Sequence, residues 1–250
     1  MKLALIGDPV AHSRSPALHR AMLQEAGIEG SYTAIRVPRG NGIDVVRRMR
    51  LDGFTGCNVT HPLKEEVLRA CDVLTDEARR ARAVNTIFFS RAIVGTTTDG
   101  IGARIALETL ADEPIALHRI GVLGTGATAR AILVELHDND AYAFVWGRDL
   151  EKVAALCTEF EAQPWPVHEP PEMVISTLPP EVSLPRDLIE SLQHVDLVMD
   201  ANYGERSTLR RVLHREVVDG TLMLEAQARA SFDFWLARLE GVGGGEEQAG

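Results

Sequence analysis

Cysteine is scarce in this chain, basic runs are missing, and no apolar stretch is long. Cys57, Cys71 and Cys157 are the cysteines among 250 residues, an odd number without CxxC spacing. Neither a disulfide framework nor a zinc site is indicated, and buried reduced thiols are expected. The 36 acidic residues outnumber the 26 basic ones, for a formal charge of -10. Without clustered lysine or arginine, that balance repels nucleic-acid backbones and anionic membranes, so neither is expected as a partner. Nothing approaches the run of about 18 apolar residues that spans a bilayer. The apolar opening "KLALI" is cut off at Gly7 and Asp8, short of a signal peptide's core. A soluble cytoplasmic protein is expected. The eight histidines lack metal-ligand spacing and no GxSxG nucleophile motif occurs, so no metal is expected.

What is present is alternation. The 45% apolar content suffices for one large core or two small ones. "LALIG", "SPALHRAMLQEAG", "SYTAIRV", "NGIDVVRRMRL" and "FTGCNVT" follow one another as strand, helix, strand, helix, strand. In the first helix Leu18, Met22, Leu23 and Ala26 make an apolar stripe, closed by Gly27. Such an order predicts an α/β fold with a mostly parallel sheet covered by helices, whose ligands sit at the carboxyl ends of strands. After "AVNTIFF" and "AIVGTTTDG", a helix over about 100–110 leads to "RIGVLG", where alternation restarts. The expected organisation is a first domain at 1–100 and a second at 101–221. A final helix over 225–239 folds back to complete the first domain with 222–240, and 241–250 is a flexible tail.

Polar residues gather at strand ends. In "RIGVLGTGATARAILVEL", Gly124 and Gly126 stand between an apolar strand and a helix, with Ala129 at the third position of GxGxxG. A glycine turn there lets backbone amides and the helix dipole meet a pyrophosphate, which predicts dinucleotide binding. After the next strand, "YAFVW", comes "GRDLEK". Arg148 and Lys152 favour the extra phosphate of NADP, whereas Asp149 would suit the ribose of NAD or simply cap a helix, so NAD stays open. "AHSRSPAL" starts a helix at Pro16 with Ser15 as N-cap, and Ser13 and Ser15 together could hold an anion. "CNVTHPLKEE" places Asn58 and Thr60 on one side of a strand, followed by a helix started by Pro62 that carries Lys64. Asn85 and Asp99 end two further segments, and His61 lies beside them without an assigned role. Each has a plainer reading, as loop ties, a solvated lysine or a helix cap.

These stretches resemble the shikimate dehydrogenase family. "LIGDPVAHSRSPALH", "GFTGCNVTHPLKEEV", "ARAVNTI", "GTTTDGIG", "VLGTGATAR" and "LMLEAQ" match its motifs in order and spacing, across nearly the whole chain. The resemblance implies an α/β substrate lobe followed by a Rossmann lobe, with the last helix returning to the first. It implies NADPH-dependent reduction of 3-dehydroshikimate to shikimate in aromatic amino-acid biosynthesis. Ser13 and Ser15 would hold the substrate carboxylate, with Tyr203 nearby. Asn58, Thr60, Asn85 and Gln227 would bind ring hydroxyls, and Lys64 with Asp99 would form the catalytic pair. Gly124, Thr125, Gly126, Ala127 and Thr128 would lie along the pyrophosphate, with Arg148 and Lys152 at the NADP end. The partner is then a small molecule, and the chain a monomer or homodimer.

The departures from the family are specific. Thr97 replaces an asparagine, the Asn-Arg-Thr cofactor signature reads Gly147, Arg148, Asp149, the loop "STLPPEVSL" is rebuilt, and Leu222 replaces a glycine. An NAD-dependent quinate/shikimate dehydrogenase and a non-catalytic metabolite-binding regulator are the alternatives. The regulator should have lost Lys64 or Asp99, and both are here.

Overall fold

The computed structural model of the chain describes residues 1–166 and 169–243. It divides into two compact units, Met1–Thr98 with the chain from Gln227 onward, and Asp99–Ala226.

The first unit opens with β1 (Lys2–Gly7), α1 (Ser15–Glu25), β2 (Ser31–Arg36), α2 (Gly42–Leu51) and β3 (Gly56–Val59). A 3-10 turn (Glu66–Ala70), β4 (Val73–Leu74), α3 (Asp76–Ala81), β5 (Thr86–Phe89) and β6 (Ile93–Thr96) follow. The sheet order among the described residues is β2-β1-β3-β5-β6-β4. β1 runs parallel to β2 and β3, but β5 is antiparallel to both β3 and β6. The sheet is mostly parallel as expected: β4 pairs parallel with β6, and β5 alone runs against its neighbours. Ser90 closes a tight turn through its N–H to Ala92 O at 3.1 Å, and a connection that short joins only antiparallel strands.

The second unit contains α4 (Asp99–Ala111), β7 (Arg119–Leu123), α5 (Ala127–Asp138), β8 (Tyr142–Trp146), α6 (Leu150–Glu159) and β9 (Gln163–Pro164). It continues with β10 (Met173–Ser176), α7 (Arg186–Leu192), β11 (Leu197–Asp200), α8 (Thr208–Val212) and β12 (Val218–Asp219). Its strands run in the order β12-β11-β10-β7-β8-β9, and every pairing is parallel. α4 lies close on α5: a Cβ on Gly100 would stand 2.2 Å from Ala131 O, and Arg104 Nε meets Glu135 Oε1 at 2.7 Å.

The last helix, α9 (Thr221–Gly243), is longer than expected at both ends. It runs through Gly243, into the anticipated tail, whose residues 244–250 lie outside the described residues. Phe232 and Trp235 of α9 join Leu3, Leu5, Tyr32 and Phe88 in one apolar cluster of the first unit. On the other sheet face Ala4, Ile6, Val59, Leu63, Val67 and Ile87 pack together. That split follows the period-two alternation of β1. Trp235 is fully buried, and its indole N–H donates to Ile87 O at 2.9 Å. Gly56 makes room for it, since a Cβ there would lie 2.4 Å from the indole nitrogen.

Several local expectations are corrected. Ser15 is the first residue of α1, not its cap; Ser13 Oγ instead accepts from Ser15 N at 3.2 Å. Ala26 of the anticipated stripe is exposed, and the buried face of α1 is Leu23 with His19. Gly27, with φ +65°, takes the left-handed position after the helix. Pro62 starts no helix: Leu63 N–H returns to Thr60 O in a turn, and the 3-10 turn begins only at Glu66. Of the cysteines, all free, Cys57 alone is buried, and Cys71 and Cys157 are half-buried. Among the described residues no helix is long and apolar enough to cross a membrane, and no cluster of His, Cys, Asp or Glu could hold a metal ion.

Candidate active site

In the first unit, β1 and β3 lie side by side and their carboxyl ends carry the polar residues. Gly7 ends β1, where a Cβ would stand 2.4 Å from Thr60 Cγ2, so glycine there lets the Thr60 turn approach the strand. Thr60 N–H donates to Ile6 O at 2.9 Å, and Asp8 N–H to His61 O at 2.9 Å. The His61 side chain is exposed. Lys64, half-buried, stands in the turn after β3, and its carbonyl accepts from Val84 N–H at 2.8 Å. That bond ties the lysine's backbone to the residue before Asn85. Ser13 and Ser15 are half-buried at the start of α1, with their hydroxyls 3.2 Å apart.

Asn58, Asn85 and Gln227 form one hydrogen-bonded set. Asn58 Nδ2 donates to Thr86 Oγ1 at 3.0 Å, Ser231 Oγ at 3.0 Å and Asn85 O at 3.2 Å. Its Oδ1 accepts from the Tyr32 hydroxyl at 2.7 Å. Asn85, buried, accepts from Thr98 N–H at 2.9 Å and from Thr86 Oγ1 at 2.8 Å, and donates to Gln227 Oε1 at 3.2 Å. Register explains the first part, since Asn58 and Thr86 are paired across β3 and β5. Tyr32, Thr86, Thr98 and Ser231 were missed from the sequence, where each reads as ordinary strand or helix filling. Thr97, which departs from the family pattern, is buried with a hydroxyl that lacks a hydrogen-bond partner among the described residues.

In the second unit, Asp99 begins α4 at 1% exposure, and Thr128 Oγ1 donates to its Oδ2 at 3.1 Å. Lys64 and Asp99 thus belong to different units. The glycine turn before α5 has the expected geometry. Gly124 has φ +127°, and a Cβ there would meet Thr177 Oγ1 at 2.3 Å. Gly126, by contrast, is exposed with nothing within 4 Å of its missing Cβ, and α5 has no side-chain cap at that end. The N-terminus of a twelve-residue helix behind a glycine turn suits a pyrophosphate. Ala129, buried, packs that helix closely, while Thr125 and Ala127 are half-buried beside it. Arg130 Nη1 donates to Thr125 O at 3.4 Å and steadies the turn.

After β8, Asp149 caps α6. Its Oδ1 accepts from Lys152 N–H at 3.2 Å, and its Oδ2 lies 3.3 Å from the Lys152 ammonium. The Lys152 backbone N–H first, and then its side chain, hold the carboxyl below its usual range. Asp149 is committed to its own helix, leaving Arg148 exposed beside it. The residues present therefore fit a dinucleotide with an extra phosphate better than a bare ribose. Tyr203, half-buried, follows β11, whose last residue Asp200 is fully buried. Asp200 accepts from Ser207 Oγ at 2.7 Å, Asn202 N at 3.0 Å and Leu209 N at 3.2 Å, and so fixes the loop that carries the tyrosine. An acidic residue ending the apolar run "LVMD" was the signal for it.

Known proteins show which family the chain belongs to. The family described as "Shikimate dehydrogenase substrate binding domain" matches residues 5–87. A shikimate dehydrogenase (NADP(+)) from Acidiphilium cryptum is 41% identical over 157 residues, 62% of this chain and 56% of that protein. One from Thermus thermophilus is 33% identical over 100% of this chain and 97% of its own length. The crystal structure of the shikimate 5-dehydrogenase of Thermus thermophilus, in complex with NADP(H) and shikimate, superposes with a TM-score of 0.81. It is 29% identical and covers 94% of this chain and 93% of the other. The chain belongs to the shikimate dehydrogenase family.

Proposed function

We propose that this protein catalyses the NADP-dependent, reversible reduction of 3-dehydroshikimate to shikimate. The observation that carries the reading is the joining of Asn58, Asn85 and Gln227 into one set, Asn85 Nδ2 reaching Gln227 Oε1 at 3.2 Å across 142 residues of sequence. Carboxamides held in that way suit a ring bearing several hydroxyls. Ser13 and Ser15 are proposed to hold the substrate carboxylate with Tyr203, and Thr60 a ring hydroxyl. When bound, NADPH supplies the hydride to the ketone carbon. Lys64 polarises the carbonyl and gives its proton to the oxygen that becomes the alcohol. Asp99 is assigned the task of orienting the ammonium and a substrate hydroxyl. Arg148 and Lys152 are assigned to the cofactor's extra phosphate, and the turn from Gly124 to Thr128 to its pyrophosphate.

The test is direct. Purified protein given shikimate and NADP+ should produce reduced nicotinamide, and NAD+ or quinate should serve less well. Preference for NAD+ or quinate would favour the quinate/shikimate alternative, and no turnover in any combination would favour a binding protein. A cytoplasmic monomer or homodimer is proposed, with light scattering and cell fractionation as the checks.

A further inference from the structure

The hydrogen bonds around Asn58 all point one way, and three backbone groups fix the direction. Asn85 O can only accept, so Asn58 turns Nδ2 towards it at 3.2 Å and Oδ1 towards Tyr32. Thr98 N–H can only donate, so Asn85 turns Oδ1 to it at 2.9 Å. Gln227 O can only accept, so Ser231 gives its hydroxyl proton there at 2.9 Å and receives from Asn58. No amide in the set is free to flip, because each flip would oppose donor to donor or acceptor to acceptor.

One donor stands at the head of the set. The Tyr32 hydroxyl, facing Asn58 Oδ1 at 2.7 Å, must donate. Its ring is held by packing: the buried His19 imidazole stacks on it, with centroids 4.4 Å apart and planes 6° from parallel. Trp235 stands against His19 at 5.3 Å, tilted by 48°.

We propose that Tyr32 is a positioning residue for substrate selectivity: it heads a one-directional donor network that fixes Asn58, Asn85 and Gln227, so that Gln227 keeps Oε1 on Asn85 and meets a ring hydroxyl with its NH2 group. The inference rests on the shikimate reading for its substrate, but the network itself does not depend on it. Tyr32 acts through Asn58.

The test uses Tyr32→Phe, which keeps the ring and its stacking and removes the donor. With shikimate, KM should rise about tenfold while kcat stays within about twofold, and KM for NADP+ should not move. In an Asn58→Ala background the same change should add nothing. An unchanged KM in Tyr32→Phe, or a full additive effect on top of Asn58→Ala, would overturn the proposal. If wild-type protein does not oxidise shikimate, the functional reading fails while the network can still be read without substrate. Side-chain amide NMR signals of Asn58, Asn85 and Gln227 should all shift in Tyr32→Phe. A shift confined to Asn58 would break the network.

Discussion

The Thr128 hydroxyl donates to the Asp99 carboxylate at 3.1 Å, so a residue of the glycine turn's helix holds the buried acid at the start of α4. Removing that donor leaves a carboxylate at 1% exposure less well satisfied. Thr128→Val is expected to cost about 1–3 kcal/mol of stability and about three- to tenfold in kcat, whereas Thr128→Ser should retain both. Urea melts and turnover with saturating shikimate check this; a valine variant equal to wild type in both would show the bond to be idle.

Lys64→Ala should lower kcat by about 10²–10⁴-fold with KM for shikimate little changed. Its backbone is held by Val84, so the substitution removes the ammonium without loosening the turn. Near-normal turnover would take Lys64 out of the chemistry.

Asp149 stands beside Arg148 and is bound to Lys152. In Asp149→Ala the cap and a negative charge go together. The ratio of kcat/KM for NADP+ over NAD+ should rise, by less than about fivefold for so exposed a group, and the melting temperature should fall. A ratio shifted towards NAD+ would mean that the carboxylate repels no phosphate.

Gly100→Ala places a methyl 2.2 Å from Ala131 O. Backbone cannot swing aside as a flexible side chain can, so α4 and α5 must separate, at about 3 kcal/mol. Chemical denaturation reads the change; a stability equal to wild type would contradict so close an approach.

His19 has its pKa lowered from 6.5 to about 4, chiefly by burial. Above pH 6.5 neither folded nor unfolded chain carries the proton, and the ring has no pH effect. As pH falls from there towards 4, the unfolded chain takes up the proton and the folded one does not, so stability drops, by about 3 kcal/mol at most. Below that the loss levels off. His19→Gln should flatten this part of the profile, measured as the difference in urea midpoint between about pH 7 and about pH 4.5. Parallel profiles would show that His19 is charged in the fold.

The fold class was legible because apolar runs and helix-period stripes alternate, and the glycine turn was legible because Gly124 and Gly126 stand where a strand hands over to a helix. The antiparallel β5 and β6 were not, since "TIFF" and "IVGT" read alike in either direction and only the shortness of the turn at Ser90 decides. Candidate residues at strand ends, such as Asn58 and Lys64, could be named from local pattern. Their supports could not. Ser231 lies 173 residues from Asn58 in sequence, and His19 sits inside a helix whose apolar stripe hides it. Thr128 pairing with Asp99 escaped for the same reason: α4 and α5 come close where Gly100 meets Ala131, and nothing in the local pattern of either helix points to the other.

Trp235 reaches Ile87 across 148 residues, and this has a meaning for how the chain is made. The ribosome delivers about 5–20 residues each second from the N-terminal end. β1 to β6 emerge early, yet the indole that fills the space over Gly56 follows only after all of Asp99–Ala226. The unit from Asp99 to Ala226 is contiguous and closes from its own residues. The first unit is thus closed only after the second has been made, and until then its open sheet face, with Leu3, Leu5 and Phe88, is the surface a chaperone would find.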